Sequence, residues 1–186
     1  LHEGEILGIA GIDGNGQKQL AEALAGQSEA TADRLELEGL SINGMSVAQR
    51  RKLGLRYLTD DRLEEGTVGS FPVATNLFLK EIGDRPLWQS GFENRDAQYR
   101  KARQVVSDFD VRTPGIHTPV GRLSGGNIQK VLLGRELAQG CRVVIFNKPT
   151  YGLDLTNIAA IRDRVVEIAK SGMAVLLIST ELDELL

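Results

Sequence analysis

Two apolar runs, CRVVIF (Cys141–Phe146) and MAVLLIS (Met173–Ser179), flank IAAIRDRVVEIAK, whose apolar residues recur with a helical period. A strand that is apolar at nearly every position is covered on both faces. Near the start of the chain, Glu5–Ile12 reads as another buried strand and Lys18–Ala25 as the helix after it. Strands alternating with helices in this way predict an α/β fold with a parallel sheet. Between these segments RLELEGLSI alternates and predicts an antiparallel strand. VAQRRKLG predicts a short helix stopped by Gly54, and LRYLT a further strand. From about Val73 to Gly121 the pattern changes. VATNLFLKEI and NRDAQYRKARQVVSDFDV read as helices, with loops carrying Pro86 and Pro114. A helical segment is therefore expected to interrupt the α/β core.

The 186 residues, 41% hydrophobic and 25% charged, suffice for one domain with a real core. A formal charge of -3 argues against nucleic acid as a partner. The single cysteine, Cys141, excludes an internal disulfide framework and reads as a small apolar residue at the mouth of a strand. No apolar run has the length of a membrane span, and no signal peptide opens the chain. The chain begins at LHEGE and stops within ELDELL, in what reads as a helix, so a fragment of a longer protein is expected.

GIDGNGQK, Gly11 to Lys18, lies between the first strand and the first helix. Its Gly11 and Gly16 have the spacing of a phosphate-binding loop, G-x-x-x-x-G-K-[ST], and Gly14 adds a third glycine. Backbone N–H groups at the start of a helix can hold an anion unaided. Gln17 stands where such a loop carries its lysine, and Lys18 where it carries the hydroxyl that binds magnesium. Taken alone, these glycines fit a tight strand-to-helix turn equally well.

LSGGNIQK, Leu123 to Lys130, resembles the signature motif of ABC ATPases, and PTYGLD, Pro149 to Asp154, resembles the segment that leads into their D-loop. The order of motifs along the whole chain agrees with that family. GEILGIAGIDGNGQ, YLTDDR and LSGGNIQKVLLGRELA are similar to the second, C-terminal nucleotide-binding domain of sugar- and nucleoside-type importers. The resemblance implies a P-loop NTPase core of the ABC type, formed by 1–72 and 122–186, with antiparallel strands near the N-terminus and an inserted helical subdomain at 73–121. It implies ATP bound by Gly11, Asp13, Gly14, Asn15, Gly16, Gln17 and Lys18. It also implies that Ser124, Gly125, Gly126 and Gln129 act in trans on a nucleotide held by the opposite domain, with Asp154 in the D-loop. The implied partners are an N-terminal nucleotide-binding domain of the same protein and a membrane permease. These would hold the domain at the cytoplasmic face of the cell membrane.

Several positions depart from the family pattern. VVIFNKPT puts Asn147 and Lys148 where the family has a magnesium-binding Asp and a catalytic Glu. Asp60 takes the place of the Q-loop glutamine, and Thr180 that of the switch histidine. An amide is a poor ligand for a hard cation, and a charged ammonium cannot accept a proton from water. The resemblance therefore implies a site that binds ATP weakly, makes doubtful use of Mg2+, and hydrolyses slowly or not at all. The departures together add about two positive charges, the charge of the ion they displace, unless Lys18 is simply solvated. A competent ATPase with unorthodox residues and a soluble ABC protein of translation or DNA repair remain as alternatives. His2 and His117 read as surface residues.

Overall fold

The computed structural model describes residues 1–30, 32–137 and 140–184. In chain order it contains β1 (Ile6–Ala10), α1 (Gln17–Ala25), β2 (Glu36–Leu37), β3 (Leu40–Ser41), α2 (Val47–Lys52) and β4 (Leu55–Leu58). These are followed by α3 (Val73–Phe78), β5 (Trp88–Gln89), β6 (Phe92–Glu93), α4 (Arg95–Asp108) and α5 (Gly125–Leu137). β7 (Val143–Asn147), α6 (Leu155–Lys170) and β8 (Ala174–Ser179) complete the order. The chain forms two units, Leu1–Asp60 with Gln139–Leu186, and Asp61–Ala138.

The first unit is built on a four-stranded parallel sheet in the order β1-β8-β7-β4. Val144, Phe146 and Val175 have no exposed surface, as expected of central strands covered on both faces. Ala21 and Ala25 of α1 are buried with Tyr57, Ile145, Leu176 and Ile178, small side chains that let the helix approach the sheet closely. α2 is held at its start by a capping box between Ser46 and Gln49. Its buried Arg50 donates to the carbonyls of Ala23 and Leu24, at the end of α1.

β1 departs from expectation. It is shorter than Glu5–Ile12 and lies at the sheet edge, with Ile6 39% and Leu7 43% exposed. The apolar run that predicts a strand does not say how many neighbours that strand has. RLELEGLSI is likewise not one strand. β2 and β3 pair Leu37 with Leu40 across a two-residue turn, with Glu38 at φ 51° and Gly39 at φ 77°. Two consecutive positive φ values give the turn that matches strand twist.

The second unit packs α3, α4 and α5 around Val73, Leu77, Phe78, Ala102, Val105, Ile128 and Val131. Asn76, fully buried, donates to the carbonyls of Val68, Phe71 and Pro72 and accepts from the Val68 N–H. Glu136, 1% exposed, is matched by Lys80 at 2.7 Å and Arg135 at 2.8 Å. The segment between α3 and α4, expected as a loop, contains the β5–β6 hairpin, with Ser90 and Gly91 both at positive φ in its turn.

Candidate functional site

Parallel strands deliver their following loops to one end of a sheet, where α/β proteins bind ligands. In the first unit this brings together the loop after β1, Asp60 after β4, Lys148 after β7 and Thr180 after β8. A cleft of about 260 Å³ is lined there by Gly11, Asp13, Gly14, Gln17, Lys18, Asn147, Lys148 and Thr180, among others.

The loop has the backbone its glycines predict. Gly14 at φ 87° and Gly16 at φ 94° hold a conformation costly for other residues. A Cβ at Gly11 would lie 2.1 Å from Gln17 Nε2, so the present position of that amide depends on the glycine. Gln17 folds back into the loop. Its Nε2 donates to the Ile12 carbonyl at 2.9 Å, and its Oε1 accepts the Asn15 N–H at 3.2 Å. A backbone donor of the kind that holds an anion is thus given to an amide oxygen of the same chain. Asn15 Nδ2 also donates to the Ile12 carbonyl, at 3.1 Å. Lys18 extends along α1 to Glu22, 3.8 Å away.

Lys148 has left-handed backbone, φ 44°, at a cost of about 1 kcal/mol for a residue with a Cβ. Its ammonium lies 2.7 Å from Asp60 and 3.0 Å from Asp13. Burial disfavours the charge, but hydrogen bonds and attraction to Asp60 and Asp13 outweigh it, so Lys148 titrates above the ordinary lysine range. Asn147, 1% exposed, donates Nδ2 to Asp60 at 3.0 Å and weakly to the Tyr57 hydroxyl at 3.5 Å. Its Oδ1 is buried with no hydrogen-bond partner among the described residues. Of the positive charge expected from the sequence, that of Lys148 is thus already paired with two carboxylates, and Lys18 lies beside Glu22.

Asp154 caps α6, accepting the Asn157 N–H at 3.0 Å and its Nδ2 at 2.6 Å. These bonds hold its carboxyl below the usual range. In the second unit Ser124 is exposed at the start of α5, beside Gly125 and the buried Gly126. Gln129 is not with them. It is 1% exposed, and neither amide atom has a partner among the described residues. That burial was legible, because Gln129 lies three and four residues before the buried Leu132 and Leu133. The Lys148–Asp13 pair was not legible, since 135 positions separate the two residues.

Residues 1–151 match the family model described as ABC transporter. The chain belongs to the ABC transporter family. It is 37% identical over 183 residues to the guanosine import ATP-binding protein NupO of Bacillus subtilis (strain 168), covering 98% of this chain and 36% of that protein. It is 38% identical over 186 residues to a putative ribose/galactose/methyl galactoside import ATP-binding protein of Burkholderia cenocepacia (strain HI2424), covering 100% and 36% respectively. The chain thus spans about a third of the length of these relatives. Among solved structures, a nucleotide-free ATP-binding cassette from an ABC transporter superposes with a TM-score of 0.82 at 22% identity, over 100% of this chain and 74% of that one. A dimeric cassette in a post-hydrolysis state, bound to ADP and Pi, gives 0.80 at 17% identity, over 98% and 77%. These likenesses establish the ABC cassette fold. Among the described residues no helix is long and apolar enough to cross a membrane.

Proposed function

We propose that this chain is an ATP-binding domain of an importer for sugars, nucleosides or related small solutes, and that its own nucleotide site is hydrolytically weak or inactive. It is the second of two such domains in one protein. It presents Ser124, Gly125 and Gly126 to ATP held by the first domain, and permease subunits keep the pair at the cytoplasmic face of the cell membrane. The import proteins it resembles support the transport reading. The observation that carries the reading of the site is the loop closed on its own Gln17, beside a Lys148 bridged between Asp13 and Asp60.

A polyphosphate entering this cleft has to displace the Gln17 amide. It also meets an ion-pair cluster with one more carboxylate than ammonium. ATP binding here is therefore weak. The residues do not fit Mg2+ either. Asn147 directs its N–H groups toward Asp60, and Lys148 Nζ lies between the carboxylates that a cation would need. Lys148, which stands where the family has its glutamate, cannot take a proton from water while it is charged.

The test is ATP turnover by the full-length protein assembled with its permease. Ser124→Arg puts a large cation at the start of α5 and is expected to lower turnover by about 10²-fold or more. Turnover near that of the wild type would show that this signature is not the working one.

A further inference from the structure

We infer that Asn127 is a positioning residue that fixes the direction of the Ser124 hydroxyl proton. The inference rests on the reading that Ser124 serves a phosphate of an opposing nucleotide. An asparagine amide has an acceptor end and a donor end, and its neighbours decide which faces which. The Arg112 backbone N–H can only donate, and it lies 2.7 Å from Asn127 Oδ1. The other end, Nδ2, therefore faces Ser124 Oγ, 2.8 Å away, and donates to it. One lone pair of Ser124 is thereby filled. Its own proton is kept off Asn127 and is left to donate elsewhere. A phosphate oxygen at the start of α5 is an acceptor only, so this polarity is the one it needs.

The anchor of this arrangement is itself fastened. Lys130, one turn along α5 from Asn127, donates to the Asp110 carbonyl at 2.9 Å and to its carboxylate at 2.8 Å. Asp110 has left-handed backbone, φ 48°, and the next residue is bonded back to α4 through Val111 N–H and the Val106 carbonyl. The N–H of Arg112 is held between those contacts and Asn127. The orientation of one hydroxyl in α5 is thus set by the turn that follows α4, all within the second unit.

Asn127→Asp tests the inference because it keeps the shape and removes the donor. One carboxylate oxygen still accepts from Arg112, and the other turns the Ser124 proton toward itself. In the full-length protein with its permease, kcat is expected to fall about 10- to 100-fold at neutral pH with little change in KM. As pH falls through the pKa of the new carboxyl, it regains an O–H donor and kcat recovers, which a variant that had merely lost its fold does not do. Ser124→Ala and the double variant separate the hydroxyl from the added charge. With no hydroxyl to redirect, Asn127→Asp should cost far less in the Ser124→Ala background. Equal losses in both backgrounds, or a loss independent of pH, would overturn the positioning role while leaving the working signature intact. If Ser124→Ala alone leaves turnover unchanged, the reading of the signature fails, and this inference with it.

Discussion

At Gly11 a methyl group would have to displace the Gln17 amide, which lies where it would go. That amide is the far end of a flexible side chain, so Gly11→Ala pushes it out rather than shifting the backbone. The expected cost is the amide's two hydrogen bonds, about 1–2 kcal/mol in urea unfolding. The same substitution in a Gln17→Ala background should cost much less, since nothing then occupies the space. Equal costs in the two backgrounds would mean that Gln17 does not fill the loop. The same pair of residues explains why a P-loop spacing survives here without its lysine. The glycines that let a backbone curl around a phosphate also let it curl around an amide.

The elements differ in how well they declare themselves. β7 and β8 are read correctly because all positions but the last, Asn147 and Ser179, are apolar and both faces are buried, so no assumption about neighbours is needed. β1 has the same kind of sequence but lies at an edge, and its exposure follows from topology rather than from its own residues. Substitution separates the two cases. Phe146→Ala in β7, with no exposed surface, should cost about 3–5 kcal/mol in this chain. Leu7→Ala in β1 should cost about 1 kcal/mol or less, both measured by urea unfolding. Comparable losses would mean that β1 is as enclosed as β7. The β5–β6 hairpin was missed, and β2–β3 was expected as antiparallel structure but read as one run over RLELEGLSI, for a shared reason. Strands of two residues carry no period, and only the turn pairs Glu38–Gly39 and Ser90–Gly91 mark them. Within the site, the loop glycines, Asn147 and Lys148 are legible by position. The Asp60 and Asp13 contacts that decide what Lys148 can do arise only when three distant loops meet at the end of the sheet.

On the scale of the whole molecule, the chain has two units, each with its own apolar core. The first carries the self-filled loop and the second the exposed Ser124. A cassette whose loop is shaped by bound nucleotide gains stability with ligand concentration, by about 2.7 kcal/mol at a hundredfold excess over Kd. Here the Gln17 amide already does the shaping. Millimolar ATP, with magnesium or with chelator, is therefore expected to move the Tm of this chain by less than about 1 °C, and a rise of several degrees would contradict a loop closed on itself. A loop already filled from within keeps its shape without nucleotide: its persistence is set by the chain's own sequence and is decoupled from the supply of ligand.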